Sequence, residues 1–326
     1  MSDNVLNFDY FPEALRGDLD RLGLSVVEVL FFNLRKGRWT LKVKRLSSGD
    51  MAVLKWCHPE ADEQFHKGIL REKAFYQSYG HDGFTPKLLQ VGNQYLLLEY
   101  LSSKTLRQSL IEVDNGDGVV EGPYLSASMD EFFRKIYVLY DQGDRRIDLY
   151  ELTDKFVSSW RKLLLSGPMN TERSKGELFL ARVLVFFLSS SVKRKILRVL
   201  EESYNDNAPM NYSFVHGDMH CNNIIIDSDM RFLLLDFEEV SSGYWMADFL
   251  YLMPMVFALN RNFFYSKFID SFKDIFQLKG FEEEIFDTVM ELNICAVCLN
   301  SKFAPGNNKK FFELFLSSIS LVKKII

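Results

Sequence analysis

Three strand-like segments joined by short turns open the chain and constrain its fold most. Residues 26–34, 39–46 and 51–57 alternate β-branched or aromatic with polar residues, and the turns between them read RKG and SSGD. Such segments pair most simply as an antiparallel sheet. A helical pattern at 66–80, ending at Gly80, and two strands at 87–92 and 94–101 follow. We therefore predict a β-β-β-α-β-β order for the first hundred residues.

The rest of the chain is mostly helical in pattern. Apolar residues recur at helical spacing in six stretches, at 127–142, 147–165, 174–204, 261–277, 281–300 and 308–326. A loop rich in Gly and Asp is expected at 112–124, and one pair of strands, 223–227 and 232–237, interrupts the helices. The sequence thus predicts a small sheet region followed by a larger helical region that carries one hairpin.

Composition and hydropathy limit which binding partners and which cellular compartment are expected. The 326 residues carry a formal net charge of -5, so the chain lacks the concentrated Lys and Arg that nucleic acids require, and no nucleic-acid partner is expected. The N-terminus has no basic region followed by an apolar stretch. The most apolar windows, 178–192 and 249–259, are too charged or too short to span a bilayer and are interpreted as buried helices. We expect a cytoplasmic protein.

The segment VHGDMHCNNIIIDSDMRFLLLDFEE, residues 215–239, carries the most informative chemistry. Asn223 follows Asp218 by five positions, and Asp236 comes after the strand pair. This is the spacing of the catalytic loop and the following metal-binding Asp in kinase-type phosphotransferases. The Asp218 carboxylate can accept the proton of an attacking hydroxyl, while Asn223 and Asp236 offer hard oxygen ligands for Mg²⁺. The flanking strands are apolar, so this polar cluster is not composed like a solvated turn.

A second set of residues supports the same chemistry. Lys55 lies in the apolar strand MAVLKWC, where its ammonium can reach the α- and β-phosphates of ATP, and Glu72 follows seventeen residues later in the helix. We predict that Glu72 holds Lys55 by an ion pair. Glu63, or Lys73 with another partner, is the alternative.

These residues resemble those of the aminoglycoside phosphotransferase and choline kinase family, a branch of the protein-kinase-like fold. The resemblance rests on His216-Gly217-Asp218, Asn223, Asp236-Phe237-Glu238 and Asp248. It implies an α+β, two-lobe fold. A nucleotide-binding lobe at 1–98 would contain the antiparallel sheet and one helix, and a larger, mainly helical lobe at 99–326 would carry catalysis and the acceptor.

The resemblance also implies roles for individual residues. Asp218 becomes the catalytic base, Asn223 and Asp236 the Mg²⁺ ligands, and Lys55 the phosphate-binding lysine. His216 and Asp248 brace the catalytic loop. The segment LLLEYL, 96–101, becomes a hinge in which backbone groups of Glu99 and Leu101 reach the adenine edge of ATP.

Departures from the kinase pattern indicate the kind of acceptor. No G-x-G-x-x-G loop is present, and Arg35, Lys36 and Arg38 in the first turn either contact phosphates or are simply solvated. Gly217 stands where protein kinases usually carry an Arg. Eleven residues separate Asp236 from Asp248, which leaves hardly any room for a segment that docks a protein. A small hydroxyl-bearing acceptor is therefore favoured over a protein.

We predict an ATP- and Mg²⁺-dependent transfer to a carbohydrate-type hydroxyl, either aminoglycoside-like or on a surface-polysaccharide or lipopolysaccharide sugar. The alternatives are a choline or amino-alcohol kinase and a nucleotide-binding pseudokinase scaffold. Acidic residues at 112–122, with Glu238 or Glu239, are candidates for holding a cationic acceptor.

Three further features are open to two interpretations. His220 either touches the substrate or hydrogen-bonds the catalytic loop. Cys295 and Cys298 have metal-like spacing but lie in an apolar helical run, which favours two buried thiols. The helix predicted at 308–326 packs on the core by default, and docking on an anionic membrane surface is the alternative.

Overall fold

The described residues divide into two units. The computed structural model describes residues 11–33, 37–61, 63–80, 83–114, 122–140, 149–166, 186, 189–201, 213–260, 268–278 and 281–299. Unit 1 comprises Met1–Ser103 together with Leu233–Val240, and unit 2 comprises Lys104–Phe232 and Ser241–Ile326. The short segment that carries Asp236 is therefore part of the N-terminal unit, although it lies far along the chain.

Unit 1 is built on a five-stranded antiparallel sheet. Its elements are α1 (Glu13–Leu22), β1 (Leu24–Asn33), β2 (Arg38–Arg45), β3 (Met51–Cys57), α2 (Glu63–Tyr79), β4 (Leu88–Val91) and β5 (Tyr95–Glu99). The strands lie in the order β1-β2-β3-β5-β4. The predicted β-β-β-α-β-β order is confirmed, and α1 is an additional helix that the sequence analysis did not predict.

Alternation along β3 decides which residues enter the core of unit 1. Ala52, Leu54 and Trp56 are buried, and they belong to one apolar cluster with residues of α1, β1, β2 and β5. Successive side chains of a strand point to opposite faces, so Lys55 lies on the other face of the sheet. The same helical spacing that buries Ile69 and Tyr76 on α2 also buries Glu72.

Unit 2 is mainly helical. Its elements are β6 (Lys104–Thr105), α3 (Leu106–Asp114), α4 (Gly122–Tyr140), α5 (Leu149–Ser166), β7 (Ser213–Val215), β8 (Ile224–Ile226), β10 (Ser241–Gly243), α6 (Met246–Leu259), α7 (Ile269–Phe276) and α8 (Phe281–Leu299). Residues 189–201 are also helical. β6 pairs with β8 and β7 pairs with β10, both antiparallel. The division between the units falls within β9 (Phe232–Leu234).

Aromatic packing makes the core of unit 2. Phe249 on α6 lies 4.6 Å from Phe272 and 5.8 Å from Phe133, measured between ring centroids, and Trp245 stacks on Phe276 at 4.7 Å. Each such ring buries a large apolar area, and edge-to-face pairs add to the stability. Much of the unusually high Phe content of the chain, 29 residues, serves this core. The expectation of a buried helix at 249–259 is confirmed.

Several predicted boundaries are wrong. Both ends of the loop expected at 112–124 are helical, because α3 continues to Asp114 and α4 begins at Gly122, and residues 115–121 lie outside the described residues. The strand expected at 232–237 ends at Leu234, and a 3₁₀ turn, Phe237–Glu239, follows Asp236. The helix predicted at 308–326 lies outside the described residues. In the part of the chain that the structure covers, no helix has the length and apolarity needed to cross a membrane.

Candidate active site

Lys55 lies between two carboxylates in unit 1. Its Nζ is 2.7 Å from Glu72 Oε1 and 2.8 Å from Asp236 Oδ1. Strand β3 supplies the lysine, α2 supplies Glu72, and the segment after β9 supplies Asp236. Glu63, the alternative partner, lies at the exposed start of α2 and pairs with Lys67 instead. Lys73 donates to the Asn93 carbonyl. The structure thus brings together the three residues that the sequence analysis placed around the phosphates.

Burial and neighbouring charges shift the pKa values of Lys55 and Glu72 in opposite directions. Burial by itself lowers the pKa of Lys55, but Asp236 and Glu72 outweigh it and hold the pKa of the ammonium above its ordinary value. Burial raises the pKa of Glu72, Lys55 opposes that shift, and the neighbouring charge of Asp236 adds to it. Lys55 is therefore a cation at neutral pH, as a phosphate-binding lysine must be.

Backbone conformation aims the Asp236 side chain. Asp236 has φ 66° and ψ 68°, in the left-handed region that Asp tolerates better than most residues. Phe237 is fully buried and stacks on Phe75 of α2 with 3.8 Å between ring centroids. The Phe237 N–H donates to Glu72 Oε1 at 3.3 Å. Packing of the phenylalanine thus fixes the position of the neighbouring aspartate, and a non-glycine residue at positive φ is a recurring feature of functional sites.

Three carboxylates meet at this point of unit 1. One oxygen each of Glu72, Asp236 and Glu238 lies within 4.8 Å of the others. Glu72 Oε2 is enclosed and has no hydrogen-bond partner among the described residues. Glu238 also pairs with Arg38, and its carbonyl accepts a hydrogen bond from Arg71 Nε at 2.7 Å. Glu238, predicted together with Glu239 as a candidate for holding a cationic acceptor, lies in this cluster.

Gly37, which directly precedes β2, lies against His58, which directly follows β3. Gly37 has φ 59°, and a Cβ there would come within 2.8 Å of the His58 Cβ, so this turn needs glycine. Arg38, which follows it, is held by Glu238. Arg35 and Lys36 lie outside the described residues.

Glu99 and Leu101 lie at and just beyond the end of β5. The Glu99 N–H donates to the Lys87 carbonyl at 3.0 Å, and its carboxylate accepts from the Lys87 N–H at 2.8 Å. The Leu101 carbonyl accepts a hydrogen bond from the Ser103 hydroxyl at 3.3 Å. The predicted hinge segment is therefore a core strand up to Glu99 and non-strand backbone after it.

In unit 2, Asp248 braces the loop that contains Asp218. Its carboxylate accepts the N–H of His216 at 2.6 Å and the N–H of Gly217 at 2.9 Å, and both Asp248 and His216 are buried. Gly217 has φ 83°, a conformation that a residue with a Cβ would adopt only under strain. Glycine therefore suits this position, where protein kinases usually carry Arg, because the backbone here has a positive φ.

Two cationic or hydrogen-bonding groups face the Asp218 carboxylate. Lys162 on α5 donates to Asp218 Oδ1 at 2.9 Å, and its Nζ also lies 4.6 Å from the centre of the Tyr251 ring. His220 Nε2 lies 3.5 Å from Asp218 Oδ2. A role for Lys162 was not predicted from the sequence. Its signal was the polar stripe Lys155, Ser158, Ser159 and Lys162 at helical spacing on α5, which also suits a solvated face.

His220 and Asn223 shape the rest of the loop. His220 Nδ1 accepts the N–H groups of Asn222 and Asn223, both at 3.2 Å, so the proton of the neutral ring is on Nε2, facing Asp218. Burial lowers the pKa of His220, although Asp218 opposes the shift. Asn223 Nδ2 donates to the Asp218 carbonyl at 3.0 Å, which leaves its amide oxygen as the candidate metal ligand. Burial raises the pKa of Cys221 to about 12, which excludes this thiol as a nucleophile at neutral pH.

A comparison with protein-family models finds the phosphotransferase enzyme family at residues 182–281. The segment 182–281 matches that family. The match includes Asp218, Asn223, Asp236 and Asp248, and so confirms the resemblance that these motifs predicted. A comparison with curated proteins finds no match.

Solved structures of similar architecture cover nearly the whole chain. An aminoglycoside phosphotransferase from Alicyclobacillus acidocaldarius is 10% identical with a TM-score of 0.53, and covers 97% of this chain and 92% of its own. Choline kinase from Cryptosporidium parvum is 11% identical with a TM-score of 0.53, over 96% and 97% of the two chains. The ternary complex of APH(2")-IIa with streptomycin and ATP is 15% identical with a TM-score of 0.50, over 96% of both chains. The chain has an α+β, protein-kinase-like fold, and the family match together with this fold supports a phosphotransferase.

Proposed function

We propose that the protein is an ATP- and Mg²⁺-dependent kinase that phosphorylates a hydroxyl of a small molecule. The observation that carries the proposal is the Asp218 loop, braced through its backbone by Asp248 and contained in the segment that matches the phosphotransferase family. Residues 1–98 would bind the nucleotide, and residues 99–326 would supply catalysis and bind the acceptor. The cytoplasm is the proposed location.

Unit 1 carries the groups suited to ATP. The protonated Lys55, held by Glu72, would bind the α- and β-phosphates. Backbone groups of Glu99 and Leu101, at and just beyond the end of β5, are the groups that we assign to the adenine edge. A structural neighbour of this chain binds ATP together with streptomycin, which supports ATP as the donor.

The proposed magnesium ligands are the Asp236 carboxylate and the Asn223 amide oxygen. Their oxygens are the hard ligands that Mg²⁺ prefers. In unit 1, the carboxylate cluster around Asp236 fits a cation, and so does the enclosed Glu72 Oε2, which has no hydrogen-bond partner among the described residues. A bound magnesium ion would neutralise phosphate charge during transfer.

Asp218 is the proposed base. It would orient the acceptor hydroxyl and take its proton while the hydroxyl oxygen forms a bond to the γ-phosphorus. The bond between that phosphorus and the β–γ bridging oxygen breaks, and ADP leaves with the bonding electrons. Lys162 holds one oxygen of Asp218, and the neutral His220 faces the other. Both contacts orient the carboxylate, which is the geometric requirement of the step.

The acceptor class that we favour is a carbohydrate-type hydroxyl. A choline or amino-alcohol kinase remains the alternative within the same chemistry, and a pseudokinase scaffold is the alternative outside it. A scaffold is disfavoured because Lys55, Asp218, Asn223 and Asp236 are all present. The membrane contact considered for residues 308–326 concerns a segment outside the described residues.

Nucleotide binding and turnover can be measured separately. Thermal shift with ATP and Mg²⁺ tests binding, and ADP release tests turnover over aminoglycosides, choline, ethanolamine, simple sugars and lipopolysaccharide fragments. We expect Asp218→Asn to abolish turnover and keep ATP binding. Asp229→Asn, in the exposed turn after β8, is the matched control and should retain turnover.

Three results would contradict parts of the proposal. Near-normal turnover by Asp218→Asn would remove Asp218 as the base. ATP binding without turnover on any acceptor would favour the scaffold. Transfer to proteins alone would favour a protein kinase.

A further inference from the structure

Arg38, one of the three basic residues around the first turn of unit 1, is not simply solvated. Its side chain is 21% exposed, and its guanidinium pairs with the carboxylate of Glu238, which is 12% exposed. Glu238 is itself fixed on α2. Its carbonyl accepts a hydrogen bond from Arg71 Nε at 2.7 Å, and its Cβ lies 3.5 Å from the place that a Cβ at Gly68 would take. Because the pair is largely shielded from water, it holds the long arginine side chain in one geometry, unlike an exposed surface pair.

Strand pairing places Arg38 on the same face of the sheet as Lys55. Thr40 of β2 lies opposite Lys55 of β3, and Arg38 lies opposite Cys57. Directly opposite residues of an antiparallel pair share a face, and so do residues two apart on one strand. The intervening Trp39 is buried in the apolar cluster on the other face. The Arg38 guanidinium and the Lys55 ammonium therefore belong to neighbouring positions of one surface.

Strand β3 also gives the direction in which a bound nucleotide would extend. Glu99, whose backbone is assigned to the adenine edge, lies opposite Ala52, three residues before Lys55. Cys57, with Arg38 opposite, comes two residues after Lys55, on the side away from Glu99. At about 3.4 Å per residue, this position is about 7 Å beyond Lys55. A nucleotide with its base at Glu99 and its α- and β-phosphates at Lys55 therefore extends its γ-phosphate towards Arg38.

We infer that Arg38 binds the γ-phosphate of the nucleotide, and that this phosphate replaces Glu238 as the partner of the guanidinium. This inference rests on the proposed phosphotransferase function and assigns a further binding residue to the same site. A guanidinium binds phosphate through two parallel N–H donors, and a terminal phosphate carries more negative charge than a carboxylate. The exchange of partners is therefore favourable, and Glu238 serves to hold Arg38 in place before the nucleotide binds.

This role compensates for what the first turn lacks. In protein kinases a G-x-G-x-x-G loop covers the phosphates, and that pattern is absent from this sequence. Here Gly37, at φ 59°, directly precedes Arg38. A charged side chain of β2 thus takes the place of the missing glycine-rich loop. Because negative charge is spread over the oxygens of the transferring phosphoryl group, the guanidinium would stabilise the transition state as well as the bound nucleotide.

ATP and ADP, which differ only in the γ-phosphate, test the inference. Binding of each to the full chain is measured by calorimetry with Mg²⁺ and without an acceptor. We expect Arg38→Met to weaken ATP binding about ten- to a hundred-fold and ADP binding less than about three-fold. Arg38→Lys keeps the charge but loses the paired donors, so it should lie between Arg38→Met and the unchanged protein. Lys44→Met, on the same face of β2 but opposite Met51 at the other end of the strand, is the matched control and should bind both nucleotides normally.

A second background separates binding by Arg38 from the effect of its partner. Arg38→Met leaves the Glu238 carboxylate without its cation, which adds a repulsion of its own towards phosphates. The measurement is therefore repeated in Glu238→Gln. We expect Arg38→Met to lower the ratio of ATP to ADP affinity by a similar factor in both backgrounds. Retained ADP binding shows that the loss of ATP binding is not a folding defect.

The outcomes separate this inference from the proposed function. An unchanged ratio of ATP to ADP affinity in Arg38→Met, or a fall that disappears in Glu238→Gln, would overturn the inference and leave the kinase activity standing. A selective loss of ATP binding, in a protein that releases no ADP with any acceptor, would overturn the kinase activity and leave the γ-phosphate site standing. Failure of the unchanged protein to bind ATP would overturn both.

Discussion

Lys162 Nζ lies 2.9 Å from Asp218 Oδ1, so a lysine on α5 holds the carboxylate that we propose as the base. Burial by itself lowers the pKa of Lys162, but Tyr251 and Asp218 outweigh it and raise that pKa above its ordinary value. The ammonium therefore stays charged throughout the neutral range. It orients the carboxylate and also lines a cavity within unit 2.

Replacing Lys162 should impair the chemical step more than ATP binding. We expect Lys162→Met to lower kcat about ten- to a hundred-fold, because the carboxylate loses the contact that orients it, while the KM for ATP changes little. Steady-state kinetics with saturating acceptor measures both. Lys193→Met, which removes an exposed pair with Asp154, is the matched control. An unchanged kcat in Lys162→Met would mean that the contact has no role in positioning Asp218.

Replacing Glu72 should weaken the nucleotide site. Glu72→Gln removes the carboxylate that holds Lys55, leaves Asp236 as its partner, and places an amide in a fully buried position. We expect kcat/KM for ATP to fall at least about ten-fold. Glu63→Gln changes the same residue type on the same helix at an exposed position, and should have no measurable effect. Equal kinetics for the two variants would contradict the proposed role of Glu72.

Replacing Asp248 should destabilise the catalytic loop. Its two carboxylate oxygens accept the N–H groups of His216 and Gly217. Asp248→Asn keeps one acceptor and turns an NH₂ group towards the other N–H, which should cost about 1–3 kcal/mol of the free energy of unfolding. Urea denaturation measures the loss. Asp154→Asn, which breaks an exposed pair with Lys193, should change that free energy by less than about 1 kcal/mol. A loss no larger than that of the control would count against the bracing role.

His220 should make the stability depend on acidic pH. Burial holds the pKa of His220 below its ordinary value, so the folded protein favours the neutral ring whose Nδ1 accepts two N–H groups. The unfolded chain binds this proton first, below about pH 6.5. The stabilisation is therefore complete above that pH and is lost as the pH falls through the folded-state pKa.

One variant tests whether His220 causes this pH dependence of the stability. His220→Asn keeps an acceptor for the two N–H groups but does not titrate, so the free energy of unfolding should vary less between pH 5 and 7 than in the unchanged protein. Chemical denaturation at several pH values measures the slopes. His58→Asn, at another histidine whose Nδ1 accepts a backbone N–H, should keep the original slope. Identical slopes for all three proteins would contradict the assignment to His220.

Local patterns predicted the elements well and their ends less well. Alternation found β1 to β5, and helical spacing found α2, α5 and α8, because these patterns record which side of each element is buried. The strand predicted up to Phe237 ended at Leu234, since Asp236 adopts a left-handed conformation and Phe237 packs on Phe75. Hydrophobic periodicity does not register such a change of backbone direction. The helix α1 was not predicted, because this ten-residue segment buries only Leu15 and Leu19 and its apolar periodicity is correspondingly short.

The sequence by itself determined which candidate catalytic groups are present. It sets the spacing of Asp218, Asn223 and Asp236, and it places the glycine and carboxylates around them. Only the tertiary structure decided that Glu72 rather than Glu63 meets Lys55, and that Lys155 and Lys162 line a cavity beside Asp218. The reason is physical. A polar stripe on a helix has the same pattern whether it faces water or a binding cavity, and the packing of distant segments distinguishes the two.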